Sequence, residues 1–315
     1  MWQRALGRAV AAIMLLIAVS FLVFSLLALA PGSLETTLLG ARPATPELLA
    51  AIRGEYHLDE PFLVQYGYWL GGALQLDFGR SIVSGAPVSS IVASRLAISV
   101  QLAAMAFLLA AMIGIPAGLA AAAWKGRPGD RAITFSAVLA MSAPPFAVGS
   151  LLIFLFGVQF PILPVYGAGD DGIDRLRHLV LPAIALALGL GALVVRQTRA
   201  ASLDVLSQDY MTFARARGLS RSRVALNYAL RNVALPVVAS LGLLLIVALP
   251  GAILVEVVFS LPGFGSMMVE AVSAKDIPVV QGLALVSAAY VIVVSVLVDL
   301  ASAALDPRLR GRWAR

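Results

Sequence analysis

The sequence predicts an all-α integral membrane protein with six transmembrane helices, and three observations carry that reading. Of its 315 residues, 60% are hydrophobic and 13% charged, a balance that excludes the soluble domains its length alone would allow. Several apolar runs reach the ~20 residues needed to cross a ~30 Å hydrocarbon core. Arginine is unevenly placed between those runs, as cytoplasmic loops of membrane proteins require. The chain has no cysteine and only two histidines, His57 and His178 in different segments. Disulfides and thiolate metal sites are therefore excluded, and a metal centre is not expected.

Taken in order, the apolar runs place helices at roughly Ala9–Ala30, Ile98–Trp124, Ala132–Phe160, Leu179–Val195, Val233–Val258 and Val279–Val298. The first follows Arg4 and Arg8 and ends in LALAPGS; its apolar part exceeds a signal-peptide core, so it reads as an uncleaved anchor, residues 1–30. Residues 31–97 form an external insertion. Within it, ATPELLAAIRGEYHL reads as a short helix with Thr45 as N-cap, Pro46 in the first turn and Gly54 just past its end. DEPFLVQYGYWLGGAL reads as a second, with Phe62, Tyr66, Tyr68 and Trp69 suited to the headgroup layer. Residues 98–305 make the core membrane domain, with a polar segment at 200–232, and 306–315 a short tail.

An N-terminus inside puts Arg4, Arg8, Lys125, Arg127 and Arg131, seven arginines from Arg196 to Arg231, and Arg308, Arg310, Arg312 and Arg315 on the cytoplasmic side. Only Arg42, Arg53, Arg80, Arg95, Arg175, Arg177 and Lys275 fall outside, four of them in the long insertion where the bias carries little weight. Both termini are then cytoplasmic. The spans hold many small residues together with Pro116, Pro144, Pro145, Pro182, Pro236 and Pro250, which suit close helix packing and kinks.

Several chemistries lack their residues. There is no P-loop, no H-E-x-x-H zinc helix and no G-x-S-x-G nucleophile elbow. Glu256 and Asp299 lie near span ends, where a charge is paired or hydrated, and not at the midplane where an ion-coupled carrier places its carboxylates.

The stretch DYMTFARARGLSRSRVALNYALRN, 209–232, interrupts this apolar chain with five arginines. Asp209 to Arg217 is the length of a two-turn helix, and Gly218 supplies a C′ residue able to take positive φ. Ser220 or Ser222 can cap a second helix through Ala225, Tyr228 and Leu230, before the chain re-enters the membrane at Val233. Composition alone favours a solvated basic loop. The alternative is a rigid docking element for a soluble partner, with Arg215 and Arg217 at its rim.

Here the chain resembles a family almost end to end. The run D-Y-M-T-F-A-R-A-R-G-L, then A-L-R-N and L-P-V, resembles the coupling-helix motif of binding-protein-dependent ABC importer permeases. The matches include DEPFLVQYGYWLGGALQLDFGRS, PVSSIVASRL, SAPPFAVGSLLIFLF, HLVLPAIALAL, RQTRAASLDVLSQDY, GAILVEVVFSLPGFG, DIPVVQG and the terminal DPR. More narrowly, the chain is similar to the first of two permease subunits in dipeptide, oligopeptide and nickel importers. Tyr228 stands where the family commonly has histidine, and Ser302 where it commonly has tyrosine.

The resemblance implies a type I ABC importer transmembrane fold in the bacterial inner membrane. It implies ATP-driven import of dipeptides or oligopeptides, with nickel or another small solute as the alternative. Implied partners are a second permease subunit, two cytoplasmic ABC ATPase subunits that bind ATP and Mg, and an external solute-binding protein; this chain itself binds no cofactor and is no enzyme. Asp209, Tyr210, Ala214, Arg215, Ala216, Arg217 and Gly218 are implied to couple to the ATPase. Glu256, Phe259, Pro262, Gly263 and Gly265 are implied at an outer gate, a tight turn back to the sixth span being the alternative for that segment. Two readings from other classes stand beside this one: a stand-alone secondary carrier and a membrane anchor whose basic loop recruits a partner.

Overall fold

A computed structural model describes residues 2–28, 39, 45–55, 57–220 and 223–305. The expected cap at Ser222, the tail 306–315 with its D-P-R, and most of 29–44 lie outside the described residues. The fold is helical throughout the described residues, apart from turns and an isolated bridge between Arg80 and Pro87.

The chain forms two compact units, Met1–Ala97 with Gly263–Ile292, and Ile98–Pro262 with Val293–Arg315. In the first, α1 (Trp2–Ala28) meets α3 (Phe62–Leu74), while α2 (Pro46–Glu55) lies between them in sequence. Thr45 precedes α2 and its carbonyl accepts the Leu49 N–H, as expected, but Gly54 falls inside the helix. The aromatic residues of α3 serve α1 and not only a headgroup layer. Tyr66 and Trp69 pack against Phe24, Tyr66 Oη lies 2.8 Å from Ser20 Oγ, and only Tyr68 turns away to stack on His57. The same unit holds the first turns of α4 (Val88–Ala123), α11 (Phe264–Ser273) and most of α12 (Ile277–Leu305), around a core of Phe78, Val88, Val92, Phe264, Val279 and Leu283. Asp276, buried just before α12, accepts hydrogen bonds from Ser81 Oγ at 2.5 Å and the Ile82 N–H at 3.1 Å, and so fixes the 76–87 loop.

In the second unit α7 (Gly172–Leu206) is the central helix, packed by α5 (Pro128–Ser142), α6 (Pro145–Ile153), α9 (Arg231–Gly251) and α10 (Ile253–Val258). Small residues let it sit there: Ala183, Ala185, Ala187, Gly191 and Ala192 are all buried along it. On α4, Gly114 and Gly118 press against α7 so closely that an added Cβ would come within 2.7 Å of Val194 Cβ and 2.6 Å of Thr198 Cβ.

Among the described residues, four helices are long and apolar enough to cross a membrane: Val88–Ala123, Gly172–Leu206, Tyr228–Gly251 and Ile277–Ala301. Two of the expected spans differ in form. Ala132–Phe160 is not one helix but α5 and α6 with its π-helical continuation Phe154–Gln159, bent by 94°. The break falls where sterics demand it: Ala143 and Pro144 take extended ψ of 120° and 135° ahead of the following proline rings. Val233–Val258 divides after Gly251 into α9 and α10. Pro250, which lacks an N–H and crowds the preceding turn, precedes that break. The second and fourth spans instead run longer than their apolar cores, to 36 and 35 residues. Within α1, a helix of 27 residues, the stretch Val10–Ser25 is apolar.

Candidate functional site

The polar stretch folds as a small knob with its own core. α7 ends at Leu206, and the Ser207 N–H reaches the Leu203 carbonyl at 3.1 Å. Gln208 then turns the chain into α8 (Asp209–Ala216), whose first-turn Asp209 suits the positive end of the helix dipole. Gly218 takes φ +74°, the left-handed conformation expected of it, and stops the helix. Met211 and Ala214, three residues apart and so on one face, are buried with Val224 against Leu206, Leu219 and Ala229. The adjoining face, about 100° round the helix, carries Tyr210 and Phe213, the latter 69% exposed. Ala216, Arg217 and Gly218 are exposed, and Arg215 lies within α8.

Of the expected coupling residues, then, Ala214 faces inward and supports the knob, whereas Tyr210, Ala216, Arg217 and Gly218 lie at its surface. Sequence reasoning missed Met211 and Phe213; two positions apart on a helix they point about 200° apart, but nothing in the sequence says which of the two is buried. The second helix also differs from expectation. The Val224 N–H bonds the Ser220 carbonyl at 3.0 Å, and a π-helical turn, Val224–Leu230, runs into α9 without a break. The knob is therefore continuous with a membrane helix at its far end. Tyr228 is on its exposed side, and Asn232 Nδ2 donates to the Tyr228 carbonyl at 2.6 Å.

Two turns before the knob, α7 carries Arg199. Its Nε and Nη2 donate to the two oxygens of Asp130 at 2.7 and 2.8 Å, a two-point fork on the first turn of α5. Asp130, 4% exposed, also accepts the Gly126 N–H at 2.9 Å and the Thr134 hydroxyl at 3.3 Å. Arg199 was legible only as one more cytoplasmic arginine. Asp130 is the lone acid among Lys125, Arg127 and Arg131, which was the signal available.

The expected gate residues divide between the two units. Glu256 and Phe259 are fully buried in the second unit, with Pro262 at its edge. Glu256 accepts the Ser99 hydroxyl at 2.6 Å, and the Leu261 N–H donates to its carbonyl at 2.8 Å. The Phe259 ring lies over Gly149, where an added Cβ would come 2.9 Å from Cε2. Its carbonyl accepts the Gly167 N–H at 3.1 Å. Gly263 and Gly265 belong to the first unit, where the Gly263 N–H meets Ser266 Oγ at 3.0 Å as α11 begins. The segment does turn tightly, with Ser260 at φ +50° and the Ser260 N–H on the Val257 carbonyl, and it leads into α11 before the chain reaches α12.

Apolar helices long enough to cross a membrane, with a polar helical knob between two of them, define the class: a multi-pass membrane protein. Residues 114–311 match the family model described as binding-protein-dependent transport system inner membrane component, and residues 1–103 match the N-terminal model of the same systems. The chain belongs to this family. It is 38% identical over 295 residues, 94% of each chain, to the glutathione transport system permease protein GsiC of Salmonella choleraesuis (strain SC-B67). It is likewise 38% identical over 292 residues to GsiC of Escherichia coli (strain K12), covering 93% of this chain and 94% of that one. A crystal structure of an amino acid ABC transporter with histidines superposes with a TM-score of 0.51 at 18% identity, covering 68% of this chain and 94% of that one; this likeness shows the fold alone. The resemblance read from the sequence stands. The chain is a permease subunit of an ABC importer in the inner membrane, a transporter component and not an enzyme, and ATP hydrolysis lies with separate ATPase subunits. A stand-alone carrier and a simple anchor are thereby set aside.

Proposed function

We propose that this subunit forms half of the path of an importer for short peptides, dipeptides and oligopeptides, including tripeptide-sized solutes such as the glutathione named for its relatives. Six crossings with both termini cytoplasmic carry the chain, counting α1 and the bent α5–α6 pair as one each. Residues 31–97 face the outside, where a binding protein delivers solute, 98–305 form the core, and 306–315 a cytoplasmic tail. A paralogous permease supplies the other half, and two ATPase subunits hold ATP and Mg. Each ATPase grips a knob at 209–231, with Tyr210, Arg215, Ala216, Arg217 and Gly218 at the contact. Glu256, Phe259, Pro262, Gly263 and Gly265 act at the outer gate.

The observation that carries this reading is the two-sided knob. Its inner face is sealed by Met211, Ala214 and Val224, while Tyr210 and Phe213 stand exposed beside Arg217. An exposed aromatic pair rimmed by arginine is the composition of a protein contact and is unsuited to a merely solvated loop. The test is purification of the tagged chain from native membranes, with residues 209–218 intact or replaced by a Gly/Ser linker of equal length. The intact chain is expected to bring down an ATPase and the replaced chain to lose it; a stable replaced chain that keeps the ATPase overturns the docking role. Uptake of labelled dipeptide, glutathione and nickel by the reconstituted complex then decides the solute, peptide uptake being the expected result.

A further inference from the structure

We propose that Asp130 and Arg199 form a positioning link that makes the α4–α5 turn follow α7, so that motion applied at 209–218 reaches α4 and α5 without slack. This rests on the docking role just proposed for that segment. Arg199 precedes the end of α7 by seven residues, about 10 Å along a helix at ~1.5 Å per residue. Its planar fork on both oxygens of Asp130 fixes orientation as well as distance. The same carboxylate holds the Gly126 N–H, so Arg199 is tied to the turn itself and not only to α5.

That turn is stiff. Gly126 takes φ +76°, the Arg127 N–H bonds the Trp124 carbonyl at 2.8 Å, and the Trp124 ring lies against Gly129, where a Cβ would come within 2.7 Å. Beside the link, these helices meet through apolar or close-packed contacts, Ala137 with Ala192 and Val195 and Gly118 against Thr198, and through a long, exposed contact of Arg196 Nη1 with Met141 Sδ at 3.5 Å. Such seams resist compression but offer little against sliding, because apolar attraction is non-directional. The forked ion pair, charged and two-point, resists shear far better than the single weak donation from Arg196 to the Met141 sulfur. Asp130 and Arg199 are therefore positioning residues acting through the helices they join.

The chain has no cysteine, so two introduced cysteines are unique within it, and they are the only labels once partner-subunit cysteines are replaced. Lys125→Cys on the turn and Gln208→Cys beside the knob, both exposed positions, carry spin labels in the complete reconstituted importer. The distance between them is read without nucleotide and in a nucleotide-trapped state, and solute moved per ATP hydrolysed is read in the same preparation. In the native background one unchanged, narrow distance is expected in both states. With Asp130→Asn the two states should differ or broaden, and solute moved per ATP should fall about fivefold or more. Arg199→Lys, which keeps the charge but loses the fork, should fall between. A native distance that changes by more than one helical turn, about 5.4 Å, overturns the link whether or not the variants accumulate. So does native solute moved per ATP in Asp130→Asn. Both outcomes differ from failure of the docking role, which is read by ATPase retention when 209–218 is replaced.

Discussion

Among the described residues, and apart from its two chain neighbours, no atom lies within 4 Å of a Cβ added to Gly218, so a side chain there meets chiefly the dihedral penalty of φ +74°. At Gly118 the reverse holds: the helix is regular, but an added Cβ would sit 2.6 Å from Thr198 Cβ and 2.8 Å from the Val195 carbonyl oxygen. The two glycines should fail differently. Gly218→Val should cost roughly 1–2 kcal/mol of local conformational energy, leave the chain in the membrane and uncouple uptake from ATP hydrolysis. Gly218→Asn, which tolerates the left-handed region, should retain most uptake. Gly118→Val should lower thermal stability in detergent by roughly 1–3 kcal/mol, since a backbone oxygen cannot step aside. Unchanged unfolding of Gly118→Val, or full uptake by Gly218→Val, would each refute its prediction.

Among the elements, the fate of the prolines is instructive. Pro116, Pro182 and Pro236 stay inside continuous helices, whereas Pro144–Pro145 marks a 94° break. A single membrane proline forfeits one hydrogen bond, which neighbours can offset. In a consecutive pair the second ring also drives the first out of the helical region, and nothing restores the turn. Replacing both Pro144 and Pro145 by Ala should therefore let α5 run on toward α6. Spin labels at Phe135 and Leu151, both exposed, should move apart in that variant; an unchanged distance would mean that packing on α7, not proline, holds the bend. The sequence showed these prolines as kink candidates but could not separate them. It also ended the spans too early, because Arg95 and Arg199 lie within long helices whose ends hold charges that hydropathy discounts.

For the whole molecule, the arginine distribution predicts topology. Single cysteines at Lys125 and Phe213 should be labelled by a membrane-impermeant thiol reagent only after the membrane is opened, and one at Tyr68 in sealed cells. Labelling of Phe213→Cys in sealed cells would reverse the orientation and remove the knob from the ATPase side.

The amino-acid order by itself determined the membrane class, the approximate spans and the αL turn at Gly218, because each follows from local composition or from one residue's allowed dihedrals. It also displayed the family motif on which the coupling role rests. Only the tertiary structure decided which face of α8 is sealed, since Met211 and Ala214 become core through Val224 and Ala229, residues brought back by the chain reversal. Likewise Asp130 and Arg199, Ser99 and Glu256, and Ser81 and Asp276 are paired across 69, 157 and 195 residues. Local sequence holds the charges, but which buried charge finds which donor is settled by helix packing, where small residues let backbones approach.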